Sequence, residues 1–237
     1  MKQNADRGLA VLNREIVSCR ACPRLDRYIR EVAVTKRRAY QDQPYWGQPV
    51  PSFGDPAARV LVVGLAPGAH GANRTGRPFT GDRSGDYLYR ALHRAGFASQ
   101  AESRSADDGL TLRDVWITSA AHCAPPDNKP LPEELRQCRS FLDRELALLP
   151  RLQVVLVLGK IAFEAWKNVM RGHGRDVSKW QFGHGAILVG TPALVCSYHP
   201  SQQNTSTGRL TEAMLDDVFS RVRAIIRSAP DPAAQRR

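Results

Sequence analysis

The hydrophobic positions of the chain form four continuous apolar runs, at residues 59–64, 115–121, 154–158 and 194–198. Between and after them, apolar residues recur at helical spacing within residues 82–96, 132–149, 159–170 and 210–227. Strand and helix therefore alternate after residue 58. This alternation predicts a parallel sheet that helices cover on both faces. We predict an α/β protein built as a three-layer α/β/α sandwich.

Each apolar run leads into a segment of turn-forming or reactive residues. The first continues into a glycine-rich stretch, residues 64–73, and the last into His199-Pro200-Ser201. The second run ends beside His122 and Cys123. In an open parallel sheet, ligands bind outside the carboxyl ends of the strands. We therefore expect the functional site along that edge.

The remaining segments are less regular. We predict a short helix at residues 5–18 and loops at residues 36–58, 98–112 and 171–185, of which 36–58 is aromatic and 98–112 polar and exposed. No internal repeat divides the sequence. One domain is expected over residues 1–228, with its cysteine-containing N-terminal segment packed on it. Residues 229–237 are expected to form a disordered tail.

A formal net charge of +11 favours nucleic acid, an anionic surface or an acidic ligand as the partner. The alternative is a basic surface with scattered charges. The charges are clustered, however, since residues 14–39 hold eight Arg or Lys and three acidic residues. Arg74, Arg77 and Arg83 also flank the glycine-rich stretch. This clustering argues against the scattered surface.

Three features predict a cytoplasmic protein that makes no membrane contact. No apolar stretch approaches the length of a membrane span. Residues 1–6 lack the hydrophobic region of a signal peptide. The five cysteines are an odd number, which argues against a disulfide framework.

Four of the cysteines form a candidate metal site. Cys19 and Cys22 have the spacing of a metal knuckle, while Cys123 ends a predicted strand and Cys138 lies on the next predicted helix. Four thiolates at one place could bind zinc or a [4Fe–4S] cluster. Alternatively, only the first pair is special and the other two are ordinary buried thiols. Cys196 lies within an apolar run and is expected to be a core thiol.

Further candidate residues follow the first and last strands. The small residues of the glycine-rich stretch allow backbone N–H groups to approach a ligand's oxygen atoms, although no Walker sequence follows. Phe79 could stack on a base or fill the core. Asp82 could position a water molecule or cap the helix that begins near residue 84. His199 could donate a hydrogen bond to a developing anion or serve a structural role.

Taken together, GLAPGAHGANRTGRPFTGD (residues 64–82), YHPSQQNTSTGRLT (residues 198–211) and the four cysteines resemble the uracil-DNA glycosylase superfamily. The similarity is closest to its iron–sulfur branches, and within them to the family-five (B-type) enzymes. It covers roughly residues 15–227. The resemblance implies a central four-stranded parallel sheet with DNA crossing the carboxyl ends of the strands. It also implies a structural [4Fe–4S] cluster, with zinc as the alternative, held by Cys19, Cys22, Cys123 and Cys138.

The same resemblance implies roles for residues around the cavity. Asp82 would orient the attacking water, Asn128 would assist it, and His199 would face the base carbonyl and the abasic sugar. Phe79 would stack on the base, and the backbone of residues 66–70 would contact its edge. The implied substrate-binding residues are Leu65, Ala66, Gly68, His70, Phe79 and Asn204.

Two departures from the family-four pattern favour the B-type branch. Leu65 stands where family-four enzymes have an acidic residue, and Ser119 stands where they have an asparagine. The B-type pocket accepts a wider set of damaged bases. The resemblance therefore implies a monofunctional DNA repair glycosylase that excises uracil, and other deaminated bases such as hypoxanthine, leaving an abasic site. We expect a monomer that associates with the nucleoid through DNA.

Two other functions are weighed against this one. A protein that binds damaged or abasic DNA without cutting it would use the same basic surface but would need no carboxylate at position 82. A hydrolase of a small ester or nucleotide is suggested by the glycine-rich stretch and His199 alone. No Gly-x-Ser-x-Gly motif is present, and such a hydrolase would leave the charge clustering unexplained.

Overall fold

The computed structural model describes residues 2–228 of the 237-residue chain, with side chains from residue 5 onward. The predicted tail at residues 229–237 lies outside the described residues. Within them the helices are α1 (Lys2–Ser18), α2 (Pro23–Thr35), α3 (Ala72–Thr75), α4 (Arg83–Arg94), α5 (Pro132–Leu148), α6 (Lys160–Gly172), α7 (Gln202–Ser206) and α8 (Glu212–Ser228). The strands are β1 (Phe53–Gly54), β2 (Val60–Gly64), β3 (Val115–Ser119), β4 (Val154–Leu158), β5 (Ile187–Leu188) and β6 (Ala193–Ser197). None of these helices is long and apolar enough to cross a membrane.

The strands form one sheet in the order β1-β3-β2-β4-β6-β5. The four central strands are parallel, with Val60 of β2 aligned with Val115 of β3 and Val154 of β4. This confirms the predicted three-layer sandwich and its four parallel strands. The sheet also gains antiparallel β1 and β5 at its two edges, each two residues long. Two residues are too few to show a periodic pattern, so the sequence did not predict them.

The central strands are buried throughout because helices cover both faces of the sheet. Alternate side chains of β2 belong to two separate cores. Val60 and Val62 pack in one core with Leu92 of α4 and Phe219 of α8. Leu61 and its neighbours on the other face pack with residues of α1, α5 and α6, which include Leu9, Leu142 and Trp166. The continuous apolar runs of the sequence therefore correspond to strands buried on both sides.

The prediction of an exposed loop at residues 98–112 is wrong in part. Ser103 and Leu110 are buried, and Asp108 pairs with Arg77 at 2.6 Å. Arg77 is itself buried, and it also donates to the hydroxyls of Thr80 and Ser103. In the sequence, Arg77 belongs to the basic residues that flank the glycine-rich stretch. In the structure it braces the segment that leads to Asp82, because loop 98–112 folds over it.

The ion pair between Arg77 and Asp108 predicts a measurable loss of stability. Asp108→Asn would leave a buried guanidinium without a carboxylate, which typically costs about 3–5 kcal/mol. Burial raises the pKa of Asp108, but hydrogen bonds from Arg77 and backbone N–H groups lower it well below its ordinary value. The carboxylate therefore stabilises the fold at neutral pH, and this contribution is lost as the pH falls below about 4. Urea unfolding at pH 7 and at lower pH measures both effects.

The control is Asp216→Asn, which removes the carboxylate of an exposed pair with Arg94. We expect a loss of less than about 1 kcal/mol there, because solvent screens exposed pairs. Equal losses in the two variants would contradict a special contribution from the buried pair.

Candidate active site

A cavity of about 660 Å³ lies at the carboxyl ends of the parallel strands. Its walls come from the glycine-rich stretch after β2, the end of β3, and residues 199–203 after β6. Residues 78–84 and the short turn Pro126–Asn128 complete it. Of the predicted catalytic and substrate-binding residues, those that line it are Leu65, Ala66, Gly68, His70, Phe79, Asp82, Asn128 and His199.

Asp82 has two roles that the sequence analysis treated as alternatives. Its Oδ1 accepts a hydrogen bond of 3.0 Å from the backbone N–H of Gly85 and thereby caps α4. Its Oδ2 lies against the glycine-rich stretch, where a Cβ at Gly71 would stand only 2.0 Å from it. Glycine is therefore needed at position 71 for the carboxylate to fit. One oxygen caps the helix, and the carboxylate as a whole lines the cavity.

Burial raises the pKa of Asp82 above its ordinary value. Backbone N–H groups of Gly85 and Ser84 lower it in part, as does the nearby charge of Arg74. The first turn of a helix also favours an anion, because its N–H groups point toward it. The site thus holds a partly desolvated carboxylate whose charge is stabilised from one side by backbone dipoles.

The ring of His199 packs against the ring of Phe79 in the wall of the cavity. The ring centroids are 5.9 Å apart with an angle of 31° between the planes. Phe79 lies over the end of β2, since a Cβ at Gly64 would stand 2.8 Å from its ring. Burial lowers the pKa of His199 to about 4. At neutral pH His199 is therefore a neutral imidazole, which can donate a hydrogen bond without carrying a charge.

Asn128 enters the cavity from a turn of unusual backbone conformation. Asp127 and Asn128 have φ values of 54° and 56°, in the left-handed region that Asn and Asp adopt more readily than most residues. Both line the cavity. The sequence analysis identified Asn128 through a resemblance and did not identify Asp127, a second carboxylate beside Asp82's cavity.

Of the predicted substrate-binding residues, only Asn204 does not line the cavity, and its Nδ2 donates to the carbonyl oxygen of His199 at 2.8 Å. The residues that line this wall are instead Ser201, Gln202 and Gln203. Asn204 therefore supports the backbone of His199 from behind.

The aromatic segment before β1 supplies cavity residues that sequence reasoning missed. Arg37 and Tyr40 line the cavity, and the Tyr45 hydroxyl lies 3.0 Å from Nδ1 of His70. Burial and the charges of Arg37 and Arg74 lower the pKa of His70. For Arg37, the available signal in the sequence was the basic cluster at residues 14–39. The sequence could not show which basic residue of that cluster faces the cavity.

The four cysteines of the candidate metal site come from three separate segments of the fold. Cys19 and Cys22 lie between α1 and α2, Cys123 follows β3, and Cys138 lies on α5. Burial, then Cys138, Cys19 and Cys22 in turn, raise the pKa of Cys123. The four thiols are thus close enough to interact electrostatically, and none forms a disulfide. Within residues 2–228, no group of three or more His, Cys, Asp or Glu side chains could hold a metal ion.

Comparison with known proteins identifies the family. A sequence model of the Uracil DNA glycosylase superfamily matches residues 51–223. The type-5 uracil-DNA glycosylase of Thermus thermophilus is 52% identical over 206 residues, covering 86% of this chain and 92% of the relative. That of Pyrobaculum aerophilum is 46% identical, covering 88% and 89%. A type-4 uracil-DNA glycosylase of Archaeoglobus fulgidus is 30% identical, covering 79% and 82%. The resemblance is thereby confirmed, and the chain belongs to the uracil-DNA glycosylase superfamily, in its type-5 branch.

Proposed function

We propose that this protein excises uracil from DNA by hydrolysing the N-glycosidic bond, which leaves an abasic site. The observation that carries the proposal is the convergence of Asp82, Phe79 and His199 on one cavity. Relatives named type-5 uracil-DNA glycosylases match most of the chain. We also propose that it acts as a monomer. Binding to its substrate would hold the protein at the nucleoid.

The cavity would receive a nucleotide that has left the duplex. A stacked base is out of reach of Asp82, so the nucleotide must flip outward, at a cost of a few kcal/mol. Stacking of the base on Phe79 contributes about 1–3 kcal/mol toward this cost. Arg37 and Arg83 line the cavity and would contact the phosphates beside the flipped nucleotide.

The chemistry follows from the charges of the site. The glycosidic bond breaks through an oxocarbenium-like state, in which the sugar becomes positive and the departing base negative. The Asp82 carboxylate would stabilise the sugar and orient a water molecule, assisted by the amide of Asn128. A neutral His199 would donate a hydrogen bond to the base oxygen, together with the backbone N–H groups of residues 66–70.

We extend the proposal to other deaminated bases, including hypoxanthine. Leu65 and Ser119 line the cavity where the related family-four enzymes have an acidic residue and an asparagine. An apolar side chain and a small hydroxyl make fewer demands on the hydrogen-bonding edge of the base. A larger or differently polar base would therefore leave fewer buried groups unpaired.

We also propose that Cys19, Cys22, Cys123 and Cys138 hold a structural [4Fe–4S] cluster. The donor set fits, since four thiols from three segments of the fold interact electrostatically with one another. Zinc, which four thiolates also bind, is the alternative. When bound, the cluster would tie the N-terminal segment to α5.

The role of Asp82 predicts the effect of Asp82→Asn. Asparagine is an equally good helix cap, so α4 and the melting temperature should be unaffected. Loss of the negative charge should slow single-turnover excision of uracil about 10²–10⁴-fold, while DNA affinity changes little. A gel assay of abasic sites after alkaline cleavage measures the rate. A wild-type rate in this variant would contradict the catalytic role of Asp82, whereas no excision by the wild-type protein itself would point to a protein that only binds damaged DNA.

The fit of Asp82 against the glycine-rich stretch predicts the effect of Gly71→Ala. The new Cβ would displace the carboxylate, and a shift of about 1 Å is enough to slow catalysis about 10²-fold. The matched control is Gly172→Ala, where no atom lies within 4 Å of the added Cβ. Equal rates in the two variants would show that the position of Asp82 is unimportant.

The cluster predicts the effect of Cys138→Ser. The anaerobically purified wild-type protein should be brown and contain iron without zinc, and the variant should lose both colour and iron. The control is Cys196→Ala, which removes a buried thiol from β6 and should retain the iron. Zinc in the wild-type protein, or metal-free protein of unchanged melting temperature, would overturn the assignment.

A further inference from the structure

Arg74 lies outside the cavity and connects two of its walls. Its Nε donates to the carbonyl oxygen of His70 at 2.8 Å, and its Nη2 donates to that of Gly81 at 2.7 Å. His70 lines the cavity within the glycine-rich stretch, and Gly81 immediately precedes Asp82. Arg74 is not itself among the lining residues. One guanidinium therefore spans the two segments that meet at the Asp82 carboxylate.

The guanidinium is held in place from its outer side. Nη1 lies 2.5 Å from Oε1 of Gln43, and Cζ lies 4.1 Å from the centroid of the Tyr40 ring. The carbonyl oxygen of Arg74 accepts from the backbone N–H of Trp46 at 2.9 Å. The aromatic segment before β1 thus packs on Arg74. A side chain with this many partners has a defined position.

The chemistry of this contact suits arginine and no other side chain. A guanidinium presents several N–H groups in a rigid planar fork, and it also packs well on an aromatic face. Lysine would keep the positive charge but would lack the fixed fork. Methionine would keep much of the volume and lose both the charge and the donors.

We propose that Arg74 is a positioning residue for catalysis: by joining the carbonyl oxygens of His70 and Gly81, it sets where the Asp82 carboxylate lies relative to the glycine-rich stretch. The proposal rests on the catalytic role proposed for Asp82. It adds a residue outside the cavity that sets the position of the Asp82 carboxylate through the backbone at His70 and Gly81.

The charge of Arg74 gives the proposal a second, independent readout. Burial is the largest influence on Asp82 and raises its pKa, the N–H groups of Gly85 and Ser84 lower it, Asp86 raises it, and Arg74 lowers it. The other charged or titratable groups that line the cavity are Arg37, Tyr40, His70, Arg83, Asp127 and His199. Removing the charge of Arg74 raises the pKa of Asp82. The acid limb of the pH–rate profile then moves to higher pH.

The test compares Arg74→Met, Arg74→Lys and the control Arg90→Met in single-turnover excision of uracil across a range of pH. Arg90 is an exposed arginine of α4, so its removal subtracts the same charge without touching His70 or Gly81. We expect Arg74→Met to be about 10–100-fold slower, with its acid limb shifted upward and DNA affinity within about threefold of wild type. Arg74→Lys should be slower with its acid limb near the wild-type position. Arg90→Met should match wild type.

Two results would overturn the proposal. The first is an Arg74→Met rate within twofold of wild type with an unshifted acid limb. The second is Arg74→Lys at the wild-type rate, which remains decisive if Arg74→Met fails to fold. Asp82→Asn in the same assay separates the positioning role of Arg74 from the catalytic role of Asp82. If Asp82→Asn is slow and the Arg74 variants are unaffected, only the positioning role fails; if Asp82→Asn is fast, the catalytic role of Asp82 fails.

Discussion

The desolvated carboxylate of Asp82 is the interaction on which the rest of the site depends. A buried negative charge is costly unless hydrogen bonds and opposite charges stabilise it. Here the N–H groups at the start of α4 and the charge of Arg74 provide that stabilisation, and the close approach of the glycine-rich stretch provides the burial. Because the carboxylate is partly desolvated, its interaction with a developing positive charge on a sugar would be stronger than in water.

The sheet makes this arrangement possible. Four parallel strands end at one edge, so the segments that follow β2, β3 and β6 meet there although they are far apart in sequence. Helices on both faces keep the strands dry and their ends in register. The buried pair of Arg77 and Asp108 extends this rigid base, because Arg77 also donates to the hydroxyl of Thr80 in the segment that leads to Asp82. The functional groups therefore lie on loops that a rigid scaffold holds in place.

Much of this architecture could be predicted from the chain, because apolar periodicity reports burial directly. The four parallel strands and their common edge are examples, and the conspicuous segments at 64–82 and 198–211 led to the family. Neither apolar periodicity nor these motifs could predict the contacts that single polar side chains make. Arg77 and Arg74 look alike in sequence, yet one is buried in an ion pair and the other bridges two cavity walls. Asn204 adjoins cavity residues but turns toward a backbone carbonyl. These differences depend on how distant loops fold over one another.

The most direct test of the account is the pKa of the Asp82 carboxyl itself, measured by carbon-13 NMR titration of the folded protein. The account predicts a midpoint above the ordinary aspartate value of about 3.9. It also predicts that the acid limb of the rate of uracil excision follows the same midpoint. An Asp82 that titrates at or below the ordinary value, or an acid limb that does not follow it, would contradict a desolvated catalytic carboxylate.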